Sequence, residues 1–185
     1  MSTALIITDM LNRYEHEDAD RLMSSVRGML PALCDLIAHA RACEILTIYV
    51  NDNHGDWSAG RAELAEWAMQ GSDRSLVEPI LPPADTPFIV KARHSTFYET
   101  QLEYLLRQER IERLVLAGQV TEQCILYSAL DAYVRHFDVV IPQSVTAHIH
   151  EDLANAALRM METNMRAEIV RDAGDVLAST ENRAA

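Results

Sequence analysis

The chain has 185 residues, 49% of them hydrophobic, and a formal charge of −12, with a pI near 4.9. That is enough apolar material for one sizeable core, so a single domain over residues 1–185 is expected. An acidic surface of this kind repels both a phosphate backbone and an anionic lipid face, which excludes nucleic-acid binding and membrane docking as working expectations.

The first residues, "MSTALIITDM", lack a basic leader and reach Asp9 after a short apolar run, so no signal peptide is expected. No apolar run approaches the ~20 residues needed to cross a bilayer. The cysteines, Cys34, Cys43 and Cys124, form no CxxC pair and no metal-type spacing. A soluble cytoplasmic protein with reduced thiols is the simplest expectation.

In chain order, "ALIITD" is a nearly continuous apolar run rich in β-branched residues, which suits a strand buried on both faces. From about Asp18 to Ala42 apolar residues recur at helical spacing, with Pro31 expected to break or kink the helix. "EILTIYV" reads as a second strand ending at Asn51, and "AGRAELAEWAMQ" as a short helix. The proline-rich "EPILPPADTP" leads into a third strand, "PFIVK". "YETQLEYLLRQER" is helical, with Leu102, Leu105 and Leu106 on one face. "RLVLAG" is a fourth strand, the segment containing Cys124 a helix, "FDVVIP" a fifth strand, "EDLANAALRMMETN" a helix and "AEIV" a sixth strand. The polar end "STENRAA" is expected to fray. No repeat, low-complexity tract or linker interrupts this alternation, which predicts an α/β fold with a parallel sheet and helices on both faces.

In open parallel sheets, ligands sit beyond the carboxyl ends of the strands. Those ends carry Asp9, then Asn51 and Asp52, then Lys91, then the stretch from Gly118 to Cys124. An acid, an ammonium and a thiol thus arrive at one edge from distant parts of the chain. Taken singly, each has an ordinary explanation: a buried small thiol, a capping aspartate, a solvated lysine. Cys34 and Cys43 are assigned to that ordinary class as buried fillers. Cys124 differs because it falls in the first turn of a helix, where unpaired N–H groups favour a thiolate, with Thr121 as candidate N-cap and Glu122 in the first turn.

The segments "LIITDMLN", "KARHSTFYETQLEYLL" and "LAGQVTEQCILYSALDAYVRHFDVVIP", with "TIYVNDNHGDW" after the second strand, resemble the isochorismatase-like cysteine hydrolases, a family that includes nicotinamidases and N-carbamoyl amidohydrolases. The resemblance spans residue 4 to roughly 145. It implies a three-layer, Rossmann-like α/β/α fold on a six-stranded, mostly parallel sheet. It also implies a catalytic triad of Asp9, Lys91 and Cys124, a cis peptide between Gln119 and Val120, and assembly into dimers or tetramers.

Residue chemistry then suggests a route. Cys124 attacks a carbonyl carbon of a small-molecule substrate, Lys91 supplies positive charge, and Asp9 accepts the thiol proton and passes it to the leaving amine. Backbone N–H groups of Val120 and Cys124 hold the oxyanion. Asp9 then activates a water that hydrolyses the thioester. Keeping Cys124 favours C–N bond cleavage over vinyl ether hydrolysis of the isochorismate type, because members performing the latter can lack the cysteine. Two rival readings use the same fold: a catalytically idle oligomeric binding protein, and a thiol sensor. A nucleotide-binding Rossmann protein is disfavoured, since "TDMLNR" has no glycine and no GxxxxGK[ST] occurs.

Three departures from the family pattern stand out. Ser144 replaces an aspartate after the fifth strand. Gln123 replaces the histidine that precedes the nucleophile in nicotinamidases. Their metal site is reduced here to Asp52 and His54, two ligands that make a poor site, so no metal and no other cofactor is expected. Tyr14, Trp57, Phe97, Tyr98, Gln123 and Tyr127 are candidates for a pocket wall around a planar substrate. Arg93 and His94 follow Lys91 as loop cations able to meet a carboxylate. His136 and His148 flank the fifth strand with nothing to tie them to Cys124.

Overall fold

The computed structural model describes residues 2–174 and 176; the polar end at 179–185 lies outside the described residues. The elements run β1 (Thr3–Thr8), α1 (Ala19–Ala42), β2 (Leu46–Asp52), α2 (Arg61–Met69), β3 (Phe88–Lys91), α3 (Leu102–Gln108) and β4 (Arg113–Gln119). They continue with α4 (Leu126–Val134), β5 (Asp138–Pro142), β6 (Thr146–Ala147), α5 (Glu151–Met165) and β7 (Glu168–Val170). All strand pairs are parallel, in the order β3-β2-β1-β4-β5-β7, and the two-residue β6 pairs beside the end of β4. The six expected strands are therefore joined by a seventh, too short to leave a periodic signal.

Strand alternation divides the core in two. Leu5, Ile7, Tyr49, Val115, Ala117 and Val140 point to a face covered by α1 and α2. Their neighbours Ala4, Ile6, Ile48, Leu114, Leu116 and Ile141 point to the other, covered by α3, α4 and α5. Both faces being covered is why the strands read as unbroken apolar runs. Within α3, Leu102 and Leu106 are fully buried and Leu105 packs at the edge of the same cluster.

Pro31 does not break α1, which is continuous across it. The proline lies on the exposed face, so the Arg27 carbonyl that loses its i+4 donor is on the side where water can take its place. Cys43 is exposed rather than buried, with its sulfur 3.2 Å from His39 Nε2, and Cys34 is half-buried against the α1 core. Ser144 makes a hydrogen bond of its own, accepting from the Ala173 N–H at 3.0 Å. Of the Met160–Met161 pair, Met161 is core and Met160 is exposed. Among the described residues no helix is long and apolar enough to cross a membrane.

The chain builds β1, β2 and β3 to one side, then returns to place β4 on the other side of β1. The switch point is therefore between β1 and β4, where strand-end loops diverge and leave a crevice. Register brings Thr8 opposite Gly118 and Asp52 opposite Lys91. Gly118 is required there: its φ is +110°, and a Cβ would lie 2.2 Å from the Thr8 carbonyl oxygen.

Candidate active site

Asp9 leaves β1 with φ of +56°, a left-handed turn uncommon for a side-chain-bearing residue but best tolerated by Asx types. Its N–H still bonds the Val50 carbonyl at 2.9 Å, so the turn comes only after the ladder has ended. Asn51 fixes the chain beyond it, accepting from the Leu11 N–H at 2.9 Å and donating to the Leu11 carbonyl at 3.1 Å. Gln119 donates to the Asp9 carbonyl and accepts from the Tyr14 hydroxyl at 3.4 Å. Asp9 is thus held from β2 and β4 at once.

Its carboxylate is committed on both oxygens. Oδ1 accepts the Asp52 N–H at 2.7 Å, and Oδ2 pairs with Lys91 Nζ at 2.8 Å. Lys91, at the end of β3 and only 2% exposed, spreads its remaining donors over the Arg93 carbonyl at 3.0 Å and Cys124 Sγ at 3.6 Å. Asp52 stands 3.8 Å from the same ammonium. Burial works against the charge on Lys91, but Asp9, Cys124 and Asp52 outweigh it and hold its pKa above the ordinary lysine value. The ammonium persists in the site.

Cys124 sits in a widened, π-type turn, Thr121–Ile125, that opens α4 after the cis Gln119–Val120 peptide. Thr121 is not the N-cap: its hydroxyl donates to the Ala147 carbonyl on β6 at 2.9 Å. Glu122 reaches away from the turn and accepts the N–H groups of Ile149 and His150, at 3.0 and 2.7 Å. The turn is therefore fastened to the β6–α5 connection on both sides.

Burial pushes the Cys124 thiol well above its ordinary value, and the Asp9 carboxylate, to which it hydrogen-bonds, pushes the same way. Lys91 and the Val120 backbone pull down without prevailing. Burial and Asp9 thus oppose the helix-start thiolate expected from the position of Cys124. The geometry places this thiol 3.6 Å from the Lys91 ammonium, which in turn pairs with the Asp9 carboxylate.

One histidine reaches the sulfur: His94 Nδ1 is 3.8 Å from Cys124 Sγ, and its ring stacks on Tyr127 with centroids 5.4 Å apart. In the sequence His94 is legible only as a loop cation, because contact with Cys124 depends on how the loop after β3 folds back. A cleft of about 460 Å³ opens beside Lys91, walled by Trp57, Arg93 and Tyr98. Of the six expected wall residues, Trp57 and Tyr98 line this cleft, and Tyr14, Phe97, Gln123 and Tyr127 do not. Tyr14 is 2% exposed in the α1-side core, and Phe97 is packed against Phe137 in the other. Gln123 is half-buried in the Thr121–Ile125 turn.

The metal pair does not form a site. His54 Nε2 lies 2.9 Å from the Leu11 carbonyl, and its ring stacks on Trp67 at 4.4 Å. Asp52 accepts the His54 N–H and faces Lys91. No group of three or more metal-ligating side chains occurs among the described residues.

A doubly wound parallel sheet with acid, ammonium and thiol gathered at its switch point defines an α/β protein built around a buried thiol. Comparison with known proteins is specific. The isochorismatase domain model matches residues 3–173. The chain is 31% identical over 169 residues to the uncharacterized isochorismatase family protein YaaI of Bacillus subtilis, covering 91% of this chain and 93% of that one. It is 28% identical over 189 residues to the ureidoacrylate amidohydrolase RutB of Pantoea ananatis, covering 87% and 76%. Among solved structures, an isochorismatase-like hydrolase from Alkaliphilus metalliredigens superposes with a TM-score of 0.78 at 23% identity, over 97% of this chain and 99% of that one. The chain belongs to the isochorismatase family and is a hydrolase of that family.

Proposed function

We propose that the protein is a cysteine hydrolase that cleaves a C–N bond in a small amide, carbamoyl or ureido compound. The observation that carries this reading is the mutual contact of Cys124, Lys91 and Asp9 at the sheet's switch point. Relatives named as amidohydrolases, such as the ureidoacrylate enzyme of Pantoea ananatis, support it.

In the proposed route, the thiol proton passes to Asp9 as the Cys124 C–S bond forms. Lys91 keeps its charge throughout and stabilises the sulfur as it becomes anionic. The oxyanion is held by the backbone N–H groups of Val120 and Cys124. The C–N bond then breaks with the proton delivered from Asp9 to nitrogen, the amine leaves, and a thioester remains. Water adds, the C–S bond breaks, and a carboxylic acid is released.

The test is a panel of small amides and ureido acids, read by ammonia or amine release together with intact mass. Turnover with a transient acyl adduct, both absent in Cys124→Ala, supports the route. Turnover unchanged in Cys124→Ala removes it. We also propose a homo-oligomer, dimer or tetramer, supported by exposed Tyr127, Leu130 and Val134 at helical spacing on α4; sedimentation as a monomer at all accessible concentrations would exclude it.

A further inference from the structure

The nucleophile has an inner and an outer side. The inner side is filled by Asp9 and Lys91, both buried. The outer side carries His94, exposed at the surface yet with Nδ1 3.8 Å from Cys124 Sγ. An exposed loop histidine would ordinarily be mobile and irrelevant, but this one is fastened on three sides. Immediately before it, the Arg93 carbonyl takes a hydrogen bond from Lys91 Nζ at 3.0 Å. Just after it, the Thr96 N–H donates to Ser128 Oγ on α4 at 3.0 Å. Its ring lies on Tyr127 with an interplanar angle of 20°. The catalytic lysine itself thus positions the segment that carries the imidazole.

We infer that His94 is a second acid–base residue, the one that activates water against the thioester and returns a proton to the sulfur. The inference rests on the cysteine-hydrolase reading and reassigns a step that residue chemistry alone gave to Asp9. Two observations separate the roles. The Asp9 carboxylate, 10% exposed, is held on the inner side by Asp52 N–H and Lys91 Nζ, away from the solvent that must supply the water. Water must also enter from solvent, and the exposed partner of the sulfur is His94.

The balance closes without another reactant. Neutral His94 takes a proton from water as the oxygen bonds to the carbonyl carbon. The C–S bond breaks with its electron pair on sulfur, and the imidazolium returns that proton to Cys124. Asp9 handles the proton of the first half-reaction, from thiol to leaving nitrogen, and His94 that of the second.

p-Nitrophenyl acetate separates the halves, because acylation releases p-nitrophenolate and deacylation releases acetate. Single-turnover reactions with excess enzyme read the first, and steady-state turnover reads the second. In His94→Gln the single-turnover rate is expected to stay within about twofold, while steady-state turnover falls on the order of 100-fold. Acetyl-Cys124 should then stand in the intact mass. Added imidazole should restore turnover in His94→Ala, whose smaller side chain leaves room for it. Equal losses in both phases, or no loss in either, would overturn the assignment to His94 while leaving the cysteine route intact. If wild type and Cys124→Ala release p-nitrophenolate equally, the cysteine route itself fails and His94 with it.

Discussion

Lys91 Nζ and Asp9 Oδ2 are 2.8 Å apart, with side-chain exposures of 1% and 10%. Desolvating such a pair costs so much that its members are stable only together. Lys91→Ala therefore leaves a buried carboxylate without its countercharge and is expected to cost about 3–5 kcal/mol in urea denaturation. The double variant Asp9→Asn, Lys91→Met removes both charges and should be more stable than Lys91→Ala alone. Simple additivity of the two single losses would mean that the charges act independently, and the pair would then not be the organising contact of the site.

The same pair sets opposite signs on the thiol. Asp9 raises the Cys124 pKa and Lys91 lowers it. With iodoacetamide near neutral pH, Asp9→Asn is expected to label Cys124 faster than wild type and Lys91→Ala slower. The change is about tenfold in thiolate fraction for each unit by which the pKa moves. Hydrolysis should nevertheless be lost in both. The measurement belongs in a Cys43→Ser background, since Cys43 is exposed. Slower labelling in Asp9→Asn would show that the carboxylate activates the resting thiol rather than suppressing it.

Alkaline pH tests the thiol a second way. Cys124 holds its proton in the folded state above the ordinary thiol value of 9.0, whereas the unfolded chain releases it there. The unfolded state then binds fewer protons, so stability is intact below that pH and falls as pH rises through it. Tyr49, pushed up to about 12 chiefly by burial, adds its loss above the ordinary tyrosine value of 10.0. Denaturation midpoints compared near neutrality and near about pH 10 should drop more in wild type than in Cys124→Ser. An equal drop would mean that the thiol titrates alike in both states.

Six strand cores and the residues at their ends were legible because buried parallel strands impose unbroken apolar runs, and because a chain that leaves such a run places its next polar residues at the sheet edge. Asp9, Asn51, Lys91 and Cys124 all fell out of that one rule. Side-chain direction was not legible. Tyr14 and Phe97 lie near the right motifs yet turn into the two cores, and nothing in their local sequence distinguishes them from Trp57 and Tyr98, which face the cleft. β6, with two residues, has no period to detect. His94 was visible as a residue but not as a partner of Cys124, since their contact joins positions 30 apart through a loop.

Gly118 is the narrowest point of the frame. Its φ of +110°, and the mere 2.2 Å that would separate an added Cβ from the Thr8 carbonyl oxygen, forbid a side chain where β1 and β4 end together. Gly118→Ala is expected to lose about 1–3 kcal/mol from overpacking, with a further cost of about 1 kcal/mol for the backbone region. Because Thr8 precedes Asp9, hydrolytic activity should fall further than the stability loss explains. Full activity in the variant would show that the Asp9 turn does not depend on this contact.

Glu122 gives the last prediction, and it separates geometry from charge. Its Oε1 accepts two backbone N–H groups, from Ile149 and His150, while Oε2 is buried without a partner. If the bonds matter as fasteners of the turn that carries Cys124, a neutral carbonyl in the same place suffices. Glu122→Gln should therefore keep most activity, whereas Glu122→Ala leaves two N–H groups without their acceptor. The Ala variant is expected to cost about 1–3 kcal/mol and to lower kcat with little change in KM, because the backbone N–H groups proposed to hold the oxyanion would lose their aim in the transition state rather than in the bound substrate. Equal damage from Gln and Ala would instead assign the role to the negative charge beside Cys124. A loss confined to KM would place Glu122 in substrate binding and not in positioning the turn.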